Sequence, residues 1–233
     1  MSYNQFAWYY DSLMEPQFYE DYFLYLNQQL PDFHSCLDLG CGTGTFTRKL
    51  DRFDRYIVGV DLSEEMLEIA REKNAHVQYI QSDMQKFQSE RCFDVVLCLC
   101  DSLNYVLGFE NQVQVLKNCY NHLQPNGILI FDIHSQEKIN HTFLNYSEEE
   151  ESVDYYYYWS VKKTAPYEIT HTVIIEDLEE DVRMEEKHIQ QSFPKAWYLD
   201  ALAQLGFCEI KCEDVFNDKQ RLVFYAKKKE DKI

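Results

Sequence analysis

Leu37-Asp38-Leu39-Gly40-Cys41-Gly42-Thr43-Gly44 joins a short apolar run to the start of an amphipathic segment. Glycines at alternate positions allow a tight turn, and they let a ligand approach the backbone without a Cβ atom in its way. In an open α/β sheet, a turn between a buried strand and a helix lies at the carboxyl edge, where cofactors bind. The stretch therefore predicts a strand, a ligand-binding turn and a helix.

The residues around this turn repeat the same strand-then-helix pattern. Ser63 is a candidate N-cap of one helix, and Pro125-Asn126-Gly127 ends another. Nearly continuous apolar strands that alternate with helices are typical of a parallel sheet covered on both faces. We therefore expect an α/β fold with a Rossmann-like, doubly wound, mostly parallel sheet, whose first strands lie at 35–40, 56–61, 77–81, 93–99 and 127–133.

The segment after residue 134 breaks this pattern. Its β-rich runs, 153–161, 168–175 and 184–193, predict an antiparallel β meander, whereas Glu148–Glu151 is interpreted as a solvated loop. The helix–strand–strand pattern resumes after residue 193. We therefore predict a core formed by residues 1-134 and 194-233, with an antiparallel β insertion at 135-193.

The composition limits the partners and the compartment. Asp and Glu number 40 against 22 Lys and Arg, a net charge of −18 that disfavours binding to nucleic acid or to a membrane surface. The N-terminal residues lack the pattern of a signal peptide, and no apolar run approaches a membrane span. Eight cysteines without the spacing of a zinc site or disulfide framework indicate free thiols and no metal. We expect a cytoplasmic protein.

Carboxylates recur where the predicted strands end. Asp61 ends the second strand, about twenty residues after the glycine turn, which is the position that suits a grip on the two hydroxyls of a ribose. Asp83 follows the third strand and Asp101 the fourth. The glycine turn and these acidic positions together indicate a nucleoside-containing cofactor.

With these residues in place, the chain resembles the class I S-adenosylmethionine (SAM)-dependent methyltransferases over most of its length, 135-193 excepted. The glycine turn is close to their first motif. Asp61-Leu62-Ser63 with Met66 resembles their ribose-binding strand end, Ser82-Asp83-Met84 their adenine-contacting segment, and Cys100–Tyr105 their fourth-strand motif. The resemblance implies that SAM is bound by Tyr3, Asp38, Gly40, Cys41, Gly42, Gly44, Asp61, Leu62, Met66, Asp83, Met84, Cys100, Asp101 and Ser102.

The N-terminal aromatic pattern between Tyr3 and Met14 is similar to a bacterial subgroup of this family. That similarity implies that residues 1-31 form a helical lid over the methionine end of the cofactor, with Tyr10 as a candidate catalytic residue. It also implies that the β insertion is a substrate lid.

His134, at the end of the fifth predicted strand, is a candidate general base, because its intrinsic pKa lies near neutrality. The alternative is a strand-end histidine whose nitrogens are satisfied by neighbours. Similarly, the run Tyr155–Trp159 is either the core of a small β layer, which we favour, or an aromatic pocket wall.

Two other functions are weighed against methyl transfer. A nicotinamide-dependent oxidoreductase would need glycines spaced G-x-G-x-x-G around a pyrophosphate, whereas here the third glycine comes one residue early and Asp38 adds a negative charge. SAM, with its sulfonium and ammonium, suits an acidic site better. The second alternative is a catalytically silent SAM-binding regulatory subunit. We expect a small-molecule methyl acceptor, because 148–186 is the most acidic part of the chain.

Overall fold

A computed structural model describes residues 16–153, 155–178, 182–216 and 219–230. Its helices are α1 (Pro16–Gln29), α2 (Thr45–Leu50), α3 (Glu64–Lys73), α4 (Phe109–His122) and α5 (Lys195–Leu205), with short 3₁₀ and π turns at Ser102–Tyr105 and Lys138–Thr142. Its strands are β1 (Ser35–Leu39), β2 (Tyr56–Asp61), β3 (Gln78–Gln81), β4 (Phe93–Cys98), β5 (Leu123–His134), β6 (Asn145–Glu151), β7 (Tyr155–Ala165), β8 (Glu168–Asp177), β9 (Val182–Gln191), β10 (Phe207–Asp214) and β11 (Arg221–Lys228). Among these residues no helix combines the length and the apolar character that a membrane span requires.

The main sheet has the strand order β10-β11-β5-β4-β1-β2-β3. Strands β1 to β5 run parallel to one another. On one side, β11 pairs antiparallel with β5, and β10 pairs antiparallel with β11. The chain proceeds from β1 to β2 and β3 on one side and then returns to β4 on the other. This reversal opens a crevice at the carboxyl ends of β1 and β4. The predicted doubly wound, mostly parallel sheet is confirmed.

The sheet separates two hydrophobic layers, because successive strand residues point to opposite faces. Leu37 and Leu39 of β1 pack in the layer that includes α4 and α5, whereas Cys36 packs in the layer with α1, α2 and α3. The strands are therefore apolar almost throughout, which is what made them visible in the sequence.

The second sheet is antiparallel and has the order β6-β7-β8-β9. It lies between β5 and α5 in the chain, inside the segment predicted as a β insertion, but it has one strand more than expected. Glu148–Glu151, interpreted above as a loop, belongs to β6. β6 forms an antiparallel ladder of backbone hydrogen bonds with β7. Tyrosine hydroxyls of β7 also bind the carboxylates of β6, and Tyr155 Oη donates to Glu150 at 2.8 Å.

The turn predicted at Pro125-Asn126-Gly127 proves to be a bulge within β5. The strand begins at Leu123, which pairs with Phe93, and the register shifts before Val95. Asn126 takes up the extra length in a left-handed conformation, with φ of 65°. The helix before it therefore runs directly into the strand.

Candidate active site

The glycine turn between β1 and α2 forms a compact loop that is held by the neighbouring strand. Gly40 N and Cys41 N both donate to Val60 O, at 2.7 and 3.0 Å. Gly40 and Gly42 have φ of 74° and 54°, a region that other residues enter only at a cost. The loop thus presents its backbone to the crevice beside β4.

Asp61, at the end of β2, is fixed against this loop. Its Oδ2 atom accepts a hydrogen bond from Gly42 N at 2.8 Å, and its Oδ1 atom accepts one from Ser63 N at 3.0 Å. Burial raises the pKa of Asp61 above its ordinary value, and these backbone donors oppose that rise. The carboxylate is therefore held at the crevice before any ligand arrives.

The crevice widens into a cleft of about 1160 Å³. It brings together the candidates from the ends of several strands: Asp38, Gly40, Cys41, Gly42, Asp61, Leu62, Met66, Asp83, Met84, Cys100, Asp101, Ser102 and His134 all line it. The predicted Tyr3 and Tyr10 fall outside the described residues.

Gly44 lies behind the loop rather than at the surface of the cleft. A Cβ atom added there would come within 2.7 Å of Tyr79 Oη and 3.0 Å of Ala70 Cβ. Its φ is 74°, and it precedes the first residue of α2. The structure therefore explains this glycine by close packing, and it gives no contact between Gly44 and the cleft.

Asp38 is buried at the carboxyl end of β1. Thr47 Oγ1 donates a hydrogen bond to its Oδ2 atom at 2.6 Å. Burial raises the pKa of Asp38 to about 6, although the hydrogen bond from Thr47 opposes this. A carboxyl group with so high a pKa is typical of functional sites.

The raised pKa predicts that Asp38→Asn stabilises the protein in a pH-dependent way. The folded wild type binds the Asp38 proton more tightly than the unfolded chain does. The stability that the wild type gains from this proton is complete below pH 4 and is lost as the pH rises through 6, whereas the variant has no such group to ionise. At pH 8 the variant should exceed the wild type by about 3 kcal/mol in free energy of unfolding. Urea unfolding at pH 8 and pH 4 measures this gap; a gap that does not change with pH would contradict the assignment.

Arg221 is not among the residues predicted from the sequence, and it lies between two buried carboxylates. Its Nη2 donates to Asp101 Oδ2 at 2.7 Å, and its Nη1 donates to Asp132 Oδ1 at 2.6 Å. Burial disfavours the charged form of Asp101, but the neighbouring guanidinium of Arg221 holds the pKa of Asp101 well below its ordinary range. Asp101 is thus a carboxylate at neutral pH. An arginine directly before the apolar run 222–226 was the available signal.

His134 lines the cleft with both ring nitrogens near partners. Its Nδ1 lies 3.0 Å from Asp101 Oδ1, and its Nε2 lies 2.9 Å from Gln190 Oε1. Burial lowers the pKa of His134 to about 4, so the ring is neutral at pH 7. A proton from the methyl acceptor could reach this ring only if Asp101 or Gln190 first moved away from its ring nitrogen. Its role as a general base stays a prediction.

The wall of the cleft opposite the glycine loop comes from one face of the second sheet. Tyr157, Trp159 and His171 lie on this wall, together with Glu148 of β6. Trp159 Nε1 donates to His171 Nδ1 at 3.1 Å, and the two rings are stacked. Tyr157 and Trp159 thus line the cleft, as the pocket-wall interpretation of Tyr155–Trp159 has it. Trp159 also packs against a small core of Ile139, Phe143, Val161 and Ile169, as our preferred interpretation has it. The strand alternation was the signal that places Tyr157 and Trp159 on one face.

Comparison with known proteins places this site in a family. A family model described as "Methyltransferase domain" matches residues 36–127. The "Putative methyltransferase YqeM" of Bacillus subtilis is 32% identical over 241 residues, which cover 98% of each chain. The chain belongs to the class I SAM-dependent methyltransferases. The nicotinamide-dependent alternative is thereby set aside.

Two further matches are also to methyltransferases. The crystal structure of a SAM-dependent methyltransferase from Clostridium acetobutylicum superposes with a TM-score of 0.83 at 24% identity, covering 97% of this chain and 99% of that one, and so shares the fold. A dTDP-4-amino-2,3,4,6-tetradeoxy-D-glucose N,N-dimethyltransferase from Saccharopolyspora spinosa is 31% identical over 104 residues, which cover 45% of this chain and 42% of the relative.

The cleft of the methyltransferase fits its cofactor in shape and charge. A Cβ atom added to Gly42 would meet no atom within 4 Å, so the loop backbone faces open space. Among the described residues, Asp101 Oδ1 is buried without a well-aligned hydrogen bond, and an ammonium group would supply one. When bound, SAM provides an electrophilic methyl group on a sulfonium.

Proposed function

We propose that this methyltransferase transfers the methyl group of SAM to a small-molecule amine that is held between the glycine loop and the second sheet. The observation that carries the proposal is the composition of the cleft. Its cations, Lys138 and Arg221, are outnumbered by its carboxyl groups, namely Asp38, Asp61, Glu65, Asp83, Asp101 and Glu148. Arg221 is already paired with two carboxylates, so the cleft favours a positively charged ligand.

The aromatic residues of the acceptor wall support the same substrate class. The indole of Trp159 and the phenol ring of Tyr157 offer π faces to an ammonium group, and Glu148 adds a carboxylate beside them. The related amino-sugar N,N-dimethyltransferase acts, by its name, on an amine. The acidic wall would repel a phosphate backbone, which argues against nucleic acid.

In this proposal the cofactor is bound by the residues at the strand ends. Asp61 binds the ribose hydroxyls, Asp83 and Met84 border the adenine, and the glycine loop passes beside the homocysteine portion. The protein contributes mainly alignment, since the sulfonium is already a good leaving group. An amine attacks only in its neutral form, so a proton has to leave it first. His134 and Tyr10 are the proposed candidates for that step.

The segment 135-193 acts in this proposal as the substrate lid on a core of residues 1-134 and 194-233, with 1-31 as a second, helical lid. We also infer a cytoplasmic location, and the observation that supports it is the state of the thiols. All eight cysteines are unpaired, as expected in a reducing compartment.

The proposal predicts release of S-adenosylhomocysteine (SAH) when purified protein, SAM and small primary amines are mixed, and no release with alcohols or carboxylic acids of matched size. The assay measures SAH across the three panels, after calorimetry has established that SAM binds. Turnover confined to alcohols would contradict the amine proposal. Binding without turnover in any panel would favour the catalytically silent regulatory subunit.

Glu148 and Glu149 provide a matched pair of variants for the amine that reacts best. The two carboxylates are neighbours on β6, but Glu148 lines the cleft and Glu149 binds Tyr156 Oη. Glu148→Gln should raise the KM for the amine roughly tenfold, the order expected for a charge-assisted contact, with the Kd for SAM unchanged. Glu149→Gln should change neither constant.

A further inference from the structure

Asp132, near the carboxyl end of β5, is fully buried and accepts hydrogen bonds from four groups. Cys100 N donates to its Oδ2 at 2.8 Å, and Asp101 N donates to its Oδ1 at 2.7 Å. The hydroxyl of Tyr22 on α1 also donates to Oδ2, and Arg221 Nη1 donates to Oδ1 at 2.6 Å. One carboxylate thus joins β4, β5, β11 and α1.

The two backbone donors belong to residues with an unusual conformation. Cys100 and Asp101 have φ of 56° and 61°, so two consecutive non-glycine residues are left-handed. Such a conformation is unfavourable for residues with a Cβ atom, and it persists only where the surroundings hold it. Here it directs both N–H groups to the single carboxylate of Asp132.

Arg221 fixes the side chain of the same segment. Its guanidinium binds Asp132 through Nη1 and Asp101 Oδ2 through Nη2, and it lies against the rings of Phe18 and Tyr22, 5.2 and 5.5 Å from their centroids. Asp101, which lines the cleft, keeps its Oδ1 atom outside this pairing, 3.0 Å from His134 Nδ1. Because Asp101 uses only its Oδ2 atom to bind the guanidinium, its Oδ1 atom keeps the capacity to accept a hydrogen bond.

We propose that Asp132 and Arg221 are positioning residues for the amino-acid end of SAM. They hold Cys100 and Asp101 in the left-handed conformation, and this conformation aims Asp101 Oδ1 at the cofactor's ammonium group. Both residues act through Asp101 in this arrangement: Asp132 is not part of the cleft wall, and Arg221 borders the cleft with its guanidinium paired to two carboxylates. The inference rests on the proposed cofactor site, and it adds residues that the motifs of the sequence did not indicate.

The test compares two nucleosides that differ at the end in question. SAH carries the amino-acid portion, whereas 5′-deoxy-5′-methylthioadenosine lacks it. Asp132→Asn keeps the shape of the side chain but replaces one acceptor oxygen by a donor, so it can no longer accept from both backbone N–H groups. We expect the Kd for SAH to rise at least 30-fold by calorimetry. The Kd for methylthioadenosine, measured by ligand-detected NMR, should change less than threefold.

Asp94→Asn is the matched control. Asp94 Oδ2 also accepts two consecutive backbone N–H groups, those of His34 and Ser35, both at 2.9 Å. These donors lie at the start of β1, at the opposite edge of the sheet from the cleft. The control should lower the thermal midpoint without changing either nucleoside affinity. A purely structural role for Asp132 would make the two variants behave alike.

Arg221→Lys is the second variant, and it keeps the inference testable if Asp132→Asn does not fold. Lysine keeps the positive charge but cannot bridge two carboxylates with a planar fork, so the SAH-selective loss should recur. Equal losses for the two nucleosides, or an unchanged Kd for SAH in both variants, would overturn the inference while the cofactor site stands. Failure of the wild type to bind SAH would overturn the proposed function, and this inference with it.

Discussion

Gly42→Ala is expected to weaken SAH binding roughly 100-fold, which corresponds to about 3 kcal/mol, while the protein stays folded. The added methyl group meets no protein atom within 4 Å, so the fold loses only the cost of a left-handed alanine, about 1–2 kcal/mol. The same methyl group projects into the space where the proposed site places the cofactor's homocysteine portion. Calorimetry with SAH and urea unfolding measure the two effects separately.

The neighbouring glycine provides the control for this experiment. A Cβ atom on Gly40 would lie 2.6 Å from Ser102 Cβ and 2.7 Å from its Oγ. Gly40→Ala should therefore destabilise the fold by about 3 kcal/mol, as overpacked sites do, in addition to the cost of its φ. If Gly42→Ala bound SAH as tightly as the wild type, the cofactor would not pass over this loop.

Asp61→Ala should raise the Kd for SAH between roughly 100-fold and 1000-fold. The variant removes the carboxylate proposed to bind both ribose hydroxyls, and hydrogen bonds to a charged group contribute about 1.5–3 kcal/mol each. It also releases Gly42 N from its acceptor, so the loop loses part of its support. Calorimetric titration with SAH measures the loss, and circular dichroism checks the fold.

Asp51→Ala is a suitable control for Asp61→Ala. Asp51 also serves as an acceptor, from Asn74 Nδ2 at 2.9 Å, but it follows α2 and is not part of the cleft wall. Its removal should leave the Kd for SAH within about twofold of the wild type, the scatter expected of a distant surface substitution. Retained affinity in Asp61→Ala would remove Asp61 from the cofactor site.

Features that depend on local sequence were predictable. The glycine loop, the apolar strands and the carboxylates at the strand ends each follow from a few consecutive residues. The parallel order of β1 to β5 then follows from strand–helix alternation. The strand order alone brings Asp61, Asp83 and Asp101 to one edge of the sheet, so their assembly at the cleft could be expected before the structure was known.

Features that depend on distant pairing were not predictable in the same way. Arg221 reaches Asp101 because β11 pairs antiparallel with β5, and no local pattern specifies that partner. Glu148–Glu151 has the composition of a loop, but it becomes a strand because β7 offers both a backbone ladder and tyrosine hydroxyls. Strand alternation could place Tyr157 and Trp159 on the same face of β7, but it could not show that this face covers the cleft.

The position of β11 has a consequence for the order in which the site forms during folding. This strand lies inside the main sheet, between the edge strand β10 and β5, and its Arg221 binds Asp101 from 120 residues away in the chain. A partly folded chain in which β11 has not yet paired with β5 would hold the glycine loop and Asp61, but it would leave Asp101 and Asp132 without their counter-ion, which is strongly unfavourable for buried carboxylates. We therefore expect the Asp101 side of the cleft to become ordered only after β11 has docked.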